Sequence, residues 1–191
     1  MDQTHKIGDS RWGRAIPWLG LALTFWADSA WAEEPRLTPV RRTTIATADP
    51  EASLTFYRDL LGFTVEYDVK VTQPGQLTVF APGATEGRAI ALRQGDKLGG
   101  SIGLFHTPGL KPAPTCDKVA GGGATAVLIL TDNLSALYDR LSKANVPFVN
   151  APHTYDRTRG PTDTFTVFDP NCVRVAFAQI QRESLEQSMN K

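Results

Sequence analysis

One segment, residues 43–63 (TTIATADPEASLTFYRDLLGF), sets the pattern for the rest of this sequence. Its threonines and isoleucine favour a strand, after which Asp49 can accept hydrogen bonds from the free N–H groups of a new helix. Gly62 permits the left-handed conformation that ends this helix. The same order returns in residues 126–141 (AVLILTDNLSALYDRL), with Asp132 as the expected cap. A repeat of this length predicts two similar modules that pack against each other.

Further strands are predicted after each helix. In residues 63–72 the apolar side chains fall at every second position, which is typical of a half-buried strand. The second helix is expected to end at Asn145, shortly before a proline. Glycine- and proline-rich turns separate the other predicted strands, at residues 77–81, 88–94 and 101–107 and then at 147–150, 164–168 and 173–178.

The pattern divides the chain into segments. The two modules are expected to span residues 41–107 and 124–180, and together they form one domain. Between them, residues 108–123 are rich in proline and glycine and are interpreted as a linker. Residues 33–40, which contain two prolines, are interpreted as an extended leader, and the polar tail 181–191 is expected to fray.

The N-terminal residues 1–32 have the order of a secretory signal peptide. Basic residues precede an apolar stretch, residues 15–26, and the small-residue site AWA (residues 30–32) comes just before Glu33. An uncleaved anchor or a packed N-terminal helix is the alternative. We expect export by a Sec-type signal to the periplasm or the cell exterior, with no membrane attachment after cleavage.

Composition and cysteine content restrict the classes of partner and metal that the chain is expected to bind. The chain has 191 residues, enough to bury a core, with twenty basic and twenty acidic side chains. This balance gives no electrostatic basis for binding nucleic acid. Cys116 and Cys172 both follow the predicted signal peptide, and their spacing is poor for zinc. A disulfide between them needs Cα atoms within roughly 7 Å, which leaves the pairing open at this point.

Two motifs resemble signatures of the vicinal oxygen chelate superfamily, which includes glyoxalase I, extradiol dioxygenases and bleomycin-resistance proteins. They are FYRDLLGF at residues 56–63, and FDPN at residues 168–171 followed by VRV at 173–175. The resemblance covers about residues 41–180. It implies an α+β fold in which two tandem βαβββ modules form a curved mixed-sheet cup, as in glyoxalases.

The resemblance also implies a divalent metal on the floor of the cup, held by His and Glu side chains. Here the corresponding positions carry residues without a lone pair to donate to a cation: Arg42, Ala126, Ala176 and, depending on the strand register, Gly103 or Ala91. His5 lies in the predicted signal peptide, and the other two histidines are nearly fifty residues apart. The sequence therefore predicts no metal and no other cofactor.

Arg42 is the strongest candidate for ligand binding. At the place of a metal ligand, its guanidinium could bind a carboxylate, an enolate or a phosphate through paired hydrogen bonds without any metal. The alternative is that Arg41 and Arg42 are solvated residues at the start of a strand. Strand alternation leaves open which of the two points inward.

Residues 153–161 (HTYDRTRGP) form a second group of candidates, in a predicted loop dense in polar and aromatic groups. His153, Tyr155, Arg157 and Arg159 could form the rim of a binding site, and a solvated hairpin loop is the alternative. The remaining candidates for ligand binding lie in module one: Tyr67, Arg93 and His106.

Three functions are consistent with these patterns. The first is an exported, metal-independent protein that binds a small anionic or aromatic molecule in its cup. The second is an enzyme, either a glyoxalase-like lyase or isomerase or a dioxygenase, with relocated metal ligands or metal-free chemistry at Arg42. The third is a structural or partner-binding module. A homodimer is compatible with each but required by none, because two modules already occur in one chain.

Overall fold

The computed structural model describes residues 40–72, 80–95, 100–112, 115–157 and 160–181. The predicted signal peptide, all but the last residue of the leader and nearly all of the polar tail lie outside these ranges. No helix in the described ranges is long and apolar enough to cross a membrane.

Module one has the predicted βαβββ order. Its elements are β1 (Arg42–Ala46), α1 (Pro50–Leu54) with a π-helical continuation (Thr55–Leu60), β2 (Thr64–Val71), β3 (Gly87–Arg93) and β4 (Ser101–His106). The four strands form one sheet in the order β1-β4-β3-β2, in which β1 runs parallel to β4 and the other pairs are antiparallel. Of the strand predicted at residues 77–81, only Phe80 and Ala81 are described, and neither is in a strand.

Module two repeats this topology. Its elements are β5 (Ala126–Thr131), α2 (Leu134–Lys143), β6 (Phe148–Arg157), β7 (Gly160–Phe168) and β8 (Arg174–Gln179). The sheet order β5-β8-β7-β6, with β5 parallel to β8, matches that of module one strand for strand. The predicted α+β fold of two βαβββ modules is therefore confirmed.

The helix starts follow the predicted chemistry in one module and differ by one residue in the other. Asp49 accepts a hydrogen bond from the Ala52 N–H at 3.0 Å, as expected for a cap. In module two the cap is Asn133, whose side chain accepts from the Ala136 N–H at 3.0 Å, so the prediction of Asp132 was wrong. An asparagine oxygen accepts the bond as well as an aspartate oxygen does, which is why the pattern alone did not separate the two neighbours.

Both helices end where the sequence predicts. Gly62 has φ +78° and Asn145 has φ +54°, so each adopts the left-handed conformation expected after the last helical turn. Asparagine tolerates this conformation better than most residues with a side chain, because its short polar side chain can bond to the local backbone.

One apolar core holds the two modules together. Alternate strand residues point into it: Ile45, Ile90, Leu92, Ile102 and Leu104 from module one, and Phe165, Val167, Val175 and Phe177 from module two. Tyr57 and Leu141, from the two helical segments, are completely buried between them. The helical side of each sheet is thus used for packing, which leaves the opposite side of each sheet for other contacts.

A polar junction anchored on Asp169 joins the modules within this core. The Tyr57 hydroxyl donates to the buried Asp169 carboxylate at 3.0 Å, and the same carboxylate accepts from the Asn171 and Val173 N–H groups at 2.8 Å. Asn171 also donates to the Ser53 hydroxyl of module one at 3.0 Å. Burial raises the pKa of both Asp169 and Tyr57 above their ordinary values. The FDPN motif therefore serves architecture, as its hydrogen bonds show.

A disulfide joins Cys116 in the linker to Cys172 at the turn before β8, with the Cα atoms 5.0 Å apart. The linker is held at a second point, because the Arg174 guanidinium donates to the Asp117 carbonyl. These contacts fix the linker against the β8 end of module two.

The hairpin of β6 and β7 is longer than predicted. Residues 153–157 belong to β6, and Gly160 and Pro161 belong to β7, so most of the expected loop is strand. The paired register runs out to Arg157 and Gly160. The polar and aromatic side chains of this stretch favoured a loop in the sequence. Pro161 is tolerated in β7 because it precedes the residues of that strand that pair with β8, the first of which is Thr164.

Candidate functional site: a cavity on module one

Strand register sets one face of module one apart from the core. Thr44, Gly103, Ala91 and Tyr67 pair in succession and form a row across all four strands. Because paired residues share a face and neighbours in a strand alternate, this row lies opposite the core residues. We call this side the cavity face. Gly103 and Ala91, the two alternatives for one metal-ligand position, are partners in the same row.

Arg42 lies across this row, held by three contacts with two neighbours. Its Nε donates to the Ser101 hydroxyl at 3.2 Å, and its Nη1 donates to the Tyr67 hydroxyl at 2.5 Å. The guanidinium carbon also stands 5.3 Å from the centre of the Tyr67 ring, within the range of a cation–π contact. Arg42 is thus the arginine of the Arg41–Arg42 pair that faces the cavity.

Gly103 makes room for this arginine. A Cβ atom at residue 103 would stand 2.8 Å from the Arg42 Cδ and 2.7 Å from the Thr44 Oγ1, closer than real contacts allow. The Arg42 side chain therefore occupies the space into which any side chain at residue 103 would project. The lack of a side chain at Gly103 is therefore what allows Arg42 to point inward.

A cavity of about 450 Å³ opens over this face, and its described lining comes entirely from module one. This volume is within the usual range for small-molecule sites. At one end the lining is polar, with Arg42, Thr44 and Tyr67. At the other end it is apolar, with Val69, Val71, Phe80 and Phe105.

The described part of the cavity lining contains no carboxylate. Nearby acidic residues are engaged with other cations: Asp68 with Arg88, and Glu86 with Lys70. Arg42 bonds to neutral hydroxyl groups, so its positive charge is not offset by an ion pair among the described residues. The polar end of the cavity is therefore suited to an anion.

A β-bulge in β2 supplies much of the lining. Val65 pairs with Leu92 on the core side, whereas Tyr67 pairs with Ala91 on the cavity face, and the register shifts between them. A bulge inserts one extra residue and so transfers the following side chains to the other face. The regular alternation in residues 63–72 predicted one half-buried stripe. The structure instead divides it into a core part and a cavity part, in which Val69 is 46% exposed.

Arg93 lies beside the cavity but is paired. Its guanidinium contacts Glu66 at 2.6 Å, and its side chain is only 15% exposed. A smaller cavity of about 290 Å³ is lined by Arg41, Arg42, Arg93 and Ser101. Arg42 lines both cavities, so the polar end of the larger one adjoins a surface rich in arginine.

The other candidates lie elsewhere. His106 is on the core side of β4 and its Nδ1 lies 2.9 Å from the Thr47 carbonyl, with which it shares a hydrogen bond. His153 and Tyr155 lie on β6, the edge strand of module two, with their ring centres 6.2 Å apart. Arg157 ends the same strand, and its side chain and Arg159 lie outside the described residues. The structure thus brings together Arg42 and Tyr67, with Arg93 beside them.

The donor set does not fit a divalent metal of the type implied by the resemblance. Arg42 and Gly103 occupy two of the positions in module one, and Ala126 and Ala176 occupy those in module two. No group of three or more His, Cys, Asp or Glu side chains within the described ranges could hold a metal ion. A guanidinium has no lone pair to offer, so Arg42 cannot take part in such a site.

Sequence reasoning missed the apolar end of the cavity. Phe105 follows Gly103 by two residues and so shares its face, a relation that the alternation of β4 could have revealed. Ser101, which orients Arg42, precedes Gly103 by two residues and therefore lies on the same face of β4. Phe80 could not have been found in this way, because it lies in a turn and not in the strand that was predicted at residues 77–81.

Comparison with protein families identifies residues 40–177 with the sequence profile of the Glyoxalase/Bleomycin resistance protein/Dioxygenase superfamily. No curated protein sequence matches the chain closely enough to count as a relative.

Solved structures share the fold at low sequence identity. A glyoxalase family protein from Bacillus cereus has a TM-score of 0.64 at 12% identity, covering 78% of this chain and 98% of its own. The trypanothione-dependent glyoxalase I of Leishmania major has a TM-score of 0.55 at 15% identity, covering 81% of this chain and 94% of its own. At these identities the likeness concerns the fold alone.

Proposed function

The chain belongs to the glyoxalase, bleomycin resistance protein and dioxygenase superfamily, and we propose that it binds a small anionic molecule in the module-one cavity without a divalent metal. One observation carries this proposal. The Arg42 side chain lies across Gly103 and presents a cation, free of any described carboxylate partner, to a cavity of about 450 Å³. A fixed organic cation thus stands where the resemblance places a metal.

The surroundings of Arg42 favour an anion over a neutral ligand. Ser101 and Tyr67 orient the guanidinium before a ligand arrives, so less side-chain freedom is lost on binding. The apolar residues beside it lower the local dielectric constant, which strengthens the attraction between unlike charges. Hydrogen bonds to a charged partner are each worth roughly 1.5–3 kcal/mol.

Export is part of the proposal and is supported by two features. The N-terminal order of basic, apolar and small residues is that of a Sec-type signal peptide. The Cys116–Cys172 disulfide is compatible with the oxidising conditions outside the cytoplasm. The ligand would then be a molecule of the periplasm or of the surrounding medium.

Isothermal titration of the purified protein with benzoate and with neutral benzamide tests the binding function. We expect benzoate to bind and Arg42→Gln to weaken it about 10- to 100-fold, because one or more charge-assisted hydrogen bonds are lost. Arg58→Gln is the matched control, since it removes an arginine from the helical segment, away from the cavity. Benzamide should bind weakly to all three proteins.

Three outcomes would contradict the proposal. Benzoate affinity that is unchanged by Arg42→Gln would show that the arginine is not the anion site. Benzoate binding that disappears after dialysis against a chelator and returns with a divalent ion would show that a bound metal is required for binding. Absence of any benzoate binding to the unmodified protein would also count against it.

A further inference from the structure

We infer that the ligand of this cavity is amphipathic, with an anionic head at Arg42 and an apolar tail that runs along β4 towards Phe105. This inference rests on the proposed function and adds the class of ligand and its direction of binding. The observation behind it is that the cavity changes from polar to apolar along the strands.

The gradient follows from the strand register. The row of Thr44, Gly103 and Tyr67 holds the polar groups, and the Arg42 side chain reaches into this row. Phe105 lies two residues further along β4, a distance of about 7 Å at the usual rise per residue. Val69 lies two residues further along β2, in register with Ala89, which itself pairs with Phe105. The apolar groups thus form the next row of the same face.

The apolar end offers surface that a tail could cover. Val69 is 46% exposed and Phe80 is 37% exposed, whereas Phe105 and Val71 are buried beneath them. The Phe80 and Phe105 rings stack at 5.4 Å between centres and form a wall. An apolar tail that displaces water from this surface gains affinity in proportion to the area it covers.

The same layout disfavours other classes of small molecule. A cationic head would meet the Arg42 charge, and no described carboxylate of the lining could offset the repulsion. A polar tail would lose hydrogen bonds to water against Val69, Phe80 and Phe105 and would find no partner there. A carboxylate with an alkyl or aryl tail satisfies both ends.

The test is a titration of the purified protein with butyrate, hexanoate, octanoate and decanoate, each below the concentration at which it aggregates. We expect the dissociation constant to fall about fourfold per added methylene until the cavity is full. Octylamine and 1-octanol should bind at least tenfold more weakly than octanoate. A dissociation constant that does not change with tail length, or octylamine that binds as tightly as octanoate, would overturn the inference.

A variant locates the tail. Val69→Thr keeps the shape of the wall and replaces one methyl group with a hydroxyl, so it should weaken decanoate several-fold and leave butyrate unchanged. Val119→Thr, at a linker residue that is 78% exposed, is the matched control and should change neither. Equal weakening of butyrate and decanoate by Val69→Thr would contradict the direction assigned to the tail.

The outcomes separate this inference from the function on which it rests. If benzoate binds through Arg42 but the carboxylate series shows no gradient, the tail assignment is wrong and the anion site stands. If Arg42→Gln changes neither benzoate nor octanoate binding, both are wrong.

Discussion

Modules one and two share a topology but use one pair of strand positions in opposite ways. In module one Arg42 of β1 pairs with Ser101 of β4, and in module two Ala126 of β5 pairs with Arg174 of β8. Each module therefore carries one arginine in this residue pair, on the first strand (β1) in module one and on the last strand (β8) in module two. A repeated fold thus sets the position of a side chain but not what that side chain contacts.

The tasks differ because the surroundings differ. Arg42 faces a cavity, whereas the Arg174 guanidinium stacks 5.3 Å from the Phe168 ring centre and bonds to the Asp117 carbonyl of the linker. On β5, Leu128 is 51% exposed and pairs with Ala176, the counterpart of Gly103. The arginine of module one thus lines a cavity, whereas the arginine of module two anchors the linker.

The largest expected effect is a loss of stability when the linker disulfide is removed, with no change in binding at the cavity. Cys116→Ser with Cys172→Ser removes a cross-link between residues 56 positions apart, which on the chain-entropy model is worth about 4 kcal/mol of unfolding free energy. Urea denaturation measures the loss. Benzoate binding by the folded variant should stay the same, because the disulfide belongs to the module-two side. A variant that folds but no longer binds benzoate would break the comparison.

The next effect concerns the junction that both modules share. Asp169→Ala leaves the Tyr57 hydroxyl and the N–H groups of Asn171 and Val173 without their acceptor, so we expect a loss of roughly 3 kcal/mol. Urea denaturation should show one transition shifted to lower urea. Tyr57→Phe is the milder companion, because Asp169 keeps its other donors. Two separate transitions would instead mean that the modules unfold independently.

Substitutions at two equivalent positions, residue 103 in module one and residue 176 in module two, compare the two sheets. Gly103→Ala places a Cβ against Arg42 and Thr44, so the guanidinium must move, and we expect benzoate affinity to fall about tenfold, or roughly 1.4 kcal/mol. Ala176→Gly at the counterpart position should cost up to about 1 kcal/mol of stability and leave benzoate binding unchanged. Titration and urea denaturation of both variants provide the measurements. Similar effects of both on benzoate would indicate a site shared between the modules.

The smallest expected effect is a pH dependence at the junction. Because burial raises the pKa of Asp169 in the folded state, its protonated form is favoured there, and this contribution to stability is present at pH below the ordinary carboxyl pKa. It is lost as the pH rises through the folded-state pKa. The stability of the unmodified protein relative to Asp169→Asn should therefore be greatest in acid and decline towards neutral pH. Urea denaturation at several pH values checks this, and a relative stability that rises with pH would contradict it.

Local chemistry made much of the fold predictable. The cap at Asp49 and the left-handed ends at Gly62 and Asn145 depend on a few adjacent residues, so the sequence pattern is sufficient to locate them. Arg42 could be selected as a candidate because its spacing from Asp49 matches a family position. Its inward direction was left open, since Arg41 is adjacent and a strand alternates.

The rest depends on contacts between distant residues. The bulge that divides β2 between two faces is defined only by its pairing with β3, so residues 63–72 looked like one stripe. The long β6–β7 hairpin is defined by pairing between its two strands, which the polar and aromatic composition of residues 153–161 does not reveal. The apolar end of the cavity needs Phe80, which lies in a turn instead of the predicted strand, so strand alternation could not assign it to a face.

The space shared by Arg42 and Gly103 has a consequence for any attempt to engineer a metal site into this protein. Introducing a glutamate at residue 103 alone would set a carboxylate against the Arg42 guanidinium, and the resulting ion pair would leave no free carboxylate for a metal. Replacing Arg42 alone by histidine would provide a single nitrogen donor in a row that otherwise has none. Neither substitution would create a metal site by itself, because Ala126 and Ala176, at the other positions that the resemblance implies, have no side-chain donor either.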